Sequence, residues 1–449
     1  MSRQTREALL LDLIIGELGP RVKELAAYAE AHTEASFTQL EEEALRLSRG
    51  LLASAVAKLL EWRRGDAENA FRCPQCGARP TNKGGQERHQ ETMVGRVHWW
   101  RSYYYCGSCR KGYYPLDEAW GMAAGQFSEG VQKEVSRLAA CMPFGPAAEE
   151  LERLAGVSIS SRETGRVAER RGTALEESLS SEVEQVFAQG GQVAPYPDPP
   201  AEGGTWGAAL DAGKVPLRDG WHDVDVGVMF RSCVRQNKAG EQQVRCEAPS
   251  YVTKITSMEE AGRRLYVEGC KRGWDASQER VICLGDGAAV NWKQFATHFP
   301  QRVEILDWYH ALEHLWTVGH ALYGEGSAEA TAWVKAQENA LWDGRPYQVV
   351  QVLRTLAEEA KGQAAAEEIH YFETNRARMS YDRYRAAGYP IGSGSAESAC
   401  KRIVGARMKQ AGMRWSKAGA QAILNLRAAL LSGLWDEAWT HTASPRYLA

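Results

Sequence analysis

Val281-Ile-Cys-Leu-Gly-Asp-Gly287 is the stretch that decides how the chain is read. Its apolar, partly β-branched start predicts a short buried strand over 281–284. The Gly-Asp-Gly that follows ends the strand and leaves Asp286 just beyond it. Working outward, the same reasoning predicts strands over 206–210, 224–230 and 251–255 and a helix over about 258–270 upstream. Downstream it predicts a helix near 292–299 and a strand over 303–306.

Three strands, helix, strand, helix, strand is the order of an RNase H-like α/β domain, a mixed sheet with flanking helices that needs one more helix to close its site. In that order Asp211 stands immediately after the first strand and Asp286 immediately after the fourth, so neighbouring strands could deliver both carboxylates to one sheet edge. Two such acids can hold Mg²⁺ through oxygen, and a third would complete a two-ion site acting on a phosphodiester. The candidate third acid is Glu397 in Ile391-Gly-Ser-Gly-Ser-Ala-Glu397, where Gly392 and Gly394 make a tight turn, Ser395 can cap, and the acid falls in the first helical turn. Each acid also has a plain reading: Asp286-Gly287 as a turn, Asp211 as a strand end, Glu397 as a solvated helix-start residue. Their joint placement favours the site.

The whole-chain charge is −3, from 54 Lys and Arg against 57 Asp and Glu, and does not announce a nucleic-acid partner. Its distribution does. Residues 71–115 carry eight basic and two acidic side chains, residues 386–431 seven and one, and residues 311–375 four and ten. Two basic segments flanking an acidic one suggest a polyanion-binding surface. Lys401, Arg402, Arg407, Lys409 and Arg414 follow Glu397 closely and are candidates for neutralising DNA phosphates.

Residues 1–67 have helical periodicity and read as a packing or dimerisation module. In 68–118, Cys73-Pro-Gln-Cys76 and Cys106-Gly-Ser-Cys109 are separated by 29 residues and bracket a strand over 97–105. Two such knuckles can set Cys73, Cys76, Cys106 and Cys109 around one structural zinc, and the segment reads as a zinc ribbon. Residues 119–189 contain a helix over 146–155, a turn at Gly156-Val-Ser158 and a helix capped by Ser160 or Ser161. This is a helix-turn-helix pattern whose second helix offers Arg162, Arg166 and Arg170, with Arg171 beside them, to a DNA groove. Such pairs also occur as plain packing units. Gly- and Pro-rich residues 190–204 read as a linker, 205–308 as the first part of the α/β core, 309–385 as a helical insertion, 386–432 as the part carrying Glu397, and 433–449 as a tail. No signal peptide or membrane span is predicted, so the expected compartment is the cytoplasm; the other cysteines read as small buried side chains.

Gly285-Asp286-Gly287, Asp307-Trp-Tyr-His310, Gly392-Ser-Gly-Ser-Ala-Glu397 and Arg407-Met-Lys-Gln-Ala-Gly-Met-Arg-Trp415 together resemble bacterial DDE insertion-sequence transposases of the ISKra type, akin to the Mutator-like superfamily. The resemblance covers about 205–435 and extends to the cysteine region. It implies a catalytic triad at Asp211, Asp286 and Glu397 with two Mg²⁺ or Mn²⁺ ions, and a helical insertion in the 111 positions from Asp286 to Glu397. It also implies an Asp307-x-x-His310 element beside the metals. Asp219, Asp223 and Asp225 lie near Asp211, and a shift of strand register would put one of them in its place. The expected partners are double-stranded DNA, at element ends and target, and further copies of the chain, since two ends must be held together.

Two other readings compete. His310-Ala-Leu-Glu313-His314 matches the H-x-x-E-H string of inverted zinc peptidases, two His one helical turn apart with a Glu between. A non-catalytic DNA-binding regulator descended from a transposase is the second. Trp308 and Tyr309 could stack on an unpaired base or belong to the core.

Overall fold

The computed structural model describes residues 3–122, 125–197, 203–359, 362–392 and 394–442. The chain divides into two units with the border between Ala168 and Glu169. In the first, helices α1 (Arg3–Ala31) and α2 (Phe37–Asn69) pack together, and α2 starts at a capping box in which Ser36 and Gln39 satisfy each other's backbone N–H groups. A three-stranded antiparallel sheet follows, β1 (Thr81–Thr92), β2 (Gly95–Cys106) and β3 (Lys111–Tyr113), then the short α3 (Pro115–Ala119). Ala53 and Leu60 of α2 share a core with Val97, Trp99 and Leu116.

The expected pair of helices between 119 and 189 is a trio: α4 (Glu129–Cys141) precedes α5 (Phe144–Ala155) and α6 (Ser161–Phe187). Gly156 closes α5 in the left-handed region at φ 64°, and the Ser160 hydroxyl caps α6 by accepting from the Glu163 amide. α6 runs past the unit border.

In the second unit, five strands among the described residues form one sheet in the order β6-β5-β4-β7-β8. They are β4 (Thr205–Leu217), β5 (Gly220–Gln236), β6 (Gln242–Ile255), β7 (Val281–Gly285) and β8 (Arg302–Leu306), with α7 (Met258–Lys271) and α8 (Ala289–His298) in the crossovers. β4, β5 and β6 are antiparallel, and β4-β7 and β7-β8 are parallel. The unit is thus mixed α/β. β7 is buried along its whole length, as a strand covered on both faces must be.

Every predicted strand is present, but β4 does not stop at 210. It continues through Asp211 to Leu217 because β5 pairs with it as far as Leu217↔Gly220, beyond the point where β7 ends. Asp211 is therefore a mid-strand residue. Residues 309–385 are helical as expected, in α9 (Trp308–Tyr323), α10 (Ala328–Trp342), α11 (Pro346–Ala357), α12 (Gln363–Asn375) and α13 (Tyr381–Ala386). The chain then forms α14 (Gly394–Ala399), a π-helical turn at Cys400–Gly405, α15 (Ala406–Met408), α16 (Lys417–Leu431) against β6, and α17 (Trp435–Thr442). The cap assigned to Ser395 lies outside the described side chains, as do 198–202 of the linker and 443–449 of the tail. No described helix is long and apolar enough to cross a membrane.

A buried ion pair ties this unit together. Arg264 of α7, with 1% of its side chain exposed, gives Glu176 of α6 two hydrogen bonds of 2.9 and 2.6 Å, and Lys254 and Asn425 approach the same carboxylate at 2.5 and 2.7 Å. Burial pushes the Glu176 carboxyl up, but the bonds and charges of Arg264, then Lys254 and Asn425, outweigh it and hold the group at about 2. A carboxyl depressed in the folded state contributes stability above its ordinary value of 4.5, and that contribution is lost as pH falls from there towards 2. Glu176→Ala should leave Arg264 buried with only its longer 3.4 Å pair to Glu260, at a cost of about 3–5 kcal/mol, read from the urea midpoint. The variant should also flatten the acid limb of stability between those pH values.

Candidate active site and metal centre

The β1–β3 sheet carries the cysteine knuckles at one end. The Cys73 to Cys109 and Cys76 to Cys106 sulfur distances are 3.9 and 3.6 Å, and all four Sγ atoms lie within 4.8 Å of one another. A tetrahedral zinc with ~2.3 Å bonds needs sulfurs roughly 3.8 Å apart, so the four Cys fit a structural zinc. Free thiols at this spacing cannot all ionise: the Tyr113 hydroxyl, 3.3 Å away, holds Cys73 down at about 6, while its sulfur neighbours and burial push Cys109 up to about 12. A divalent cation removes that conflict.

The carboxylates sit at the edge where β7 and β8 end. Ala209 pairs with Leu284, and Gly285 pairs with Leu306. Asp211 follows Ala209 by two residues within β4, while Asp286 and Asp307 stand one residue past the last paired positions of β7 and β8, where the Asp307 amide donates to the Gly285 carbonyl at 2.8 Å. The three acids therefore gather at the end of this parallel edge, Asp211 inside β4 and the other two in the segments that leave β7 and β8.

Local bonds fix each of them. Asp286 Oδ1 accepts from the Ala288 amide at 2.9 Å and from Asn291 Nδ2 at 3.0 Å, and the same amide nitrogen reaches the Leu210 carbonyl at 3.3 Å, joining β4 to the Asp286 turn. Asp307 is 1% exposed and caps α9, its Oδ1 accepting from the His310 amide at 2.7 Å and lying 3.0 Å from His310 Nδ1. That bond, against burial and together with nearby carboxylate charge, raises His310 to about 9, so the ring is cationic at neutral pH. Burial raises the Asp211 carboxyl, the Asp286 charge adds to the rise, and the Ala212 amide, the Cys400 thiol and His310 oppose it. Asp211 is thus the acid that senses Asp286. Asp219, Asp223 and Asp225 are engaged elsewhere, with His222, Lys214 and the Ser257 amide.

Glu397 is not drawn as tightly into this group. It falls in the first turn of α14 as expected, but it is exposed and ion-paired with Lys401 at 2.5 Å. Among the described residues, only the four cysteines bring three or more potential ligand atoms within 4.8 Å of one another. The Glu397 backbone is nonetheless close: Cys400, three residues on, touches Asp211, and α14 packs against β4 and β5.

The expected DNA contacts divide. Arg162, Arg166 and Arg170 are exposed at spacings of four along α6, Arg166 paired with Glu163, whereas Arg171 is buried under the Trp439 ring. Lys401, Arg402, Lys409 and Arg414 are exposed. Arg407 is not a phosphate ligand: it is fully buried, its guanidinium 5.1 Å from the Trp415 ring centre, because Trp415 folds back to hydrogen-bond Pro216 and Arg218 at the end of β4.

Trp308 belongs to the core, edge-on to Trp342 and Tyr381, and Tyr309 is exposed. His314 bonds Glu368 at 2.6 Å and stacks on Tyr371, and the H-x-x-E-H residues form no ligand cluster among the described residues. Cys141 and Cys246 are exposed, against the expectation of burial. Sequence reasoning missed Asn291 and Tyr371, whose partners include backbone carbonyls that no residue pattern reveals. It passed over Cys400 as a lone thiol, although its position three residues after Glu397 was visible. No protein-family model matches the chain, and neither does any curated protein.

Replacing Cys73 and Cys76 by Ser should release about one zinc per chain and lower the melting temperature of the first unit, as should chelation. Metal content equal to that of the parent protein would reject the centre.

Proposed function

We propose that the chain is a metal-dependent DNA transposase of the DDE kind with an RNase H-like catalytic domain. It would bind the ends of a mobile element, cleave phosphodiester bonds and join the 3′-OH ends to target DNA. The carrying observation is that Asp211 in β4 and Asp286 just past β7, its parallel neighbour, meet at one sheet edge, where Asn291 bonds both the Leu210 carbonyl and Asp286, with the Glu397 helix packed on the strand of Asp211. The sheet order, three antiparallel strands followed by two parallel ones, supports the same reading.

Asp211, Asp286 and Glu397 would supply an all-oxygen donor set suited to Mg²⁺ or Mn²⁺. Two such ions would neutralise the scissile phosphate and orient the attacking and leaving oxygens. Asp286 is preorganised for this, because the Ala288 and Asn291 bonds both fall on Oδ1 and leave Oδ2 for a cation. His310, cationic through Asp307, adds positive charge beside the acids. Lys401 pairs with Glu397, and a DNA phosphate would compete for its ammonium and so free the carboxylate to hold a metal. Arg402, Lys409 and Arg414 extend the basic surface along the backbone, and Arg162, Arg166 and Arg170 with the zinc ribbon would read the element ends. Holding two ends together calls for a dimer or larger assembly.

Asp286→Asn and Glu397→Gln should each reduce strand cleavage by a factor of at least about 10³ while leaving end binding within a factor of a few. The assay uses a labelled DNA end with Mg²⁺ or Mn²⁺. Full cleavage by either variant rejects the triad. A parent protein that binds ends and never cuts them identifies a regulator instead.

A further inference from the structure

The helical segment from α9 to α13 is fastened to the sheet edge by three phenols. Tyr384 donates to the Glu304 carbonyl at 3.2 Å, Tyr381 to the Leu306 carbonyl at 3.1 Å, and Tyr371 to the Asp286 carbonyl at 2.8 Å. The first two hold β8. The third reaches past the strands to the turn that carries the acid itself.

That turn is shaped to receive it. Gly287 has φ 107°, and a Cβ there would collide with the Tyr371 ring, so the ring lies directly on the backbone next to Asp286. The ring's other contacts are also fixed. His314 stacks on it with centroids 3.7 Å apart and planes 24° from parallel, and Glu368 holds His314 by a 2.6 Å bond to Nδ1. Phe372 packs edge-on to the Tyr371 ring. The chain Glu368, His314, Tyr371, Asp286 thus runs from α12 to α9, back to α12, and into the sheet edge.

We infer that Tyr371 is a positioning residue: held by His314, it clamps the Asp286-Gly287 turn so that the Asp286 carboxylate is presented to a divalent cation in one orientation. The inference rests on the proposed role of Asp286 and gives the helical segment a task in that site. It also accounts for His314, which the H-x-x-E-H string offered as a zinc ligand. Tyr371 itself touches no reacting atom. Its effect passes through the Asp286 backbone to the Oδ1 bonds made by Ala288 and Asn291.

The test uses full-length protein and Tyr371→Phe, which keeps the ring and its stack and removes one hydroxyl. Tyr384→Phe, which removes the hydroxyl bonded to Glu304, is the control for a merely structural role. Hydrogen exchange at the Ala288 amide reports the turn directly, because that N–H donates to Asp286 Oδ1. Mn²⁺ titration followed by electron paramagnetic resonance, without DNA, reports the carboxylate. Tyr371→Phe should speed Ala288 exchange about fivefold, the size expected for one lost hydrogen bond, and weaken Mn²⁺ binding several-fold. Tyr384→Phe should lower the melting temperature by a similar amount and change neither readout. Equal effects of the two variants, or no change at Ala288 in Tyr371→Phe, overturn the inference. If the parent protein binds no Mn²⁺ that Asp286→Asn abolishes, the proposed function fails, and the Ala288 exchange rate alone then decides whether the clamp exists.

Discussion

The parallel register of β4, β7 and β8 is the constraint on which the site depends. Side chains alternate along a strand, so a slip of one residue at either ladder would turn an acid to the opposite face of the sheet. The observed register runs to Ala209↔Leu284 and Gly285↔Leu306 and so delivers Asp211, Asp286 and Asp307 to one edge, near the level where β7 and β8 end. It holds although β4 alone continues beyond that level. Where β7 turns away, Asn291 supplies a hydrogen bond to the Leu210 carbonyl and spends the same amide on Asp286. One side chain thus marks the end of the ladder and orients the acid that follows.

Gathering acids in this way is unfavourable without a cation. Carboxylates brought close together repel, and partial burial strengthens the repulsion by lowering the local dielectric. The structure offsets this with hydrogen bonds to Asp286 and Asp307, with the His310 cation, and with Glu397 turned to Lys401. The raised Asp211 carboxyl is the part of the repulsion and burial that remains. The cysteine centre follows the same logic in another chemistry, since sulfurs at zinc spacing suppress one another's ionisation. In both places, like groups are held close by a fold that is stable elsewhere, as at the buried Arg264–Glu176 pair.

Much of this was legible in the sequence because it is local. Strand and helix order follow from periodicity, the thiol cluster from two knuckles, the α6 cap from Ser160, and the helical character of 309–385 from composition. What was illegible is set by contacts between distant segments. The length of β4 depends on β5, which pairs with it to Leu217. Arg407 looked like the other cations of its stretch, but the returning segment brings Met413 and Trp415 against its guanidinium. Asn291, Tyr371 and Tyr381 act on carbonyls, and a backbone acceptor leaves no trace in residue identity.

The helix that carries Glu397 shows how such non-local demands alter local structure. Ala396 and Ala399 are buried at its start, and Ile403, Val404, Arg407 and Met408 are buried further on. A regular helix advances 100° per residue, and the wider turn at Cys400–Gly405 changes that phase between the two buried stretches. Cys400, at the junction, meets Asp211, while Glu397 and Lys401 stay on the exposed side, one turn apart and paired. The same distortion therefore lets the helix bury both stretches against the sheet and still keep its acid and its cation beside the strand of Asp211, where a phosphate and a metal could each claim one of them.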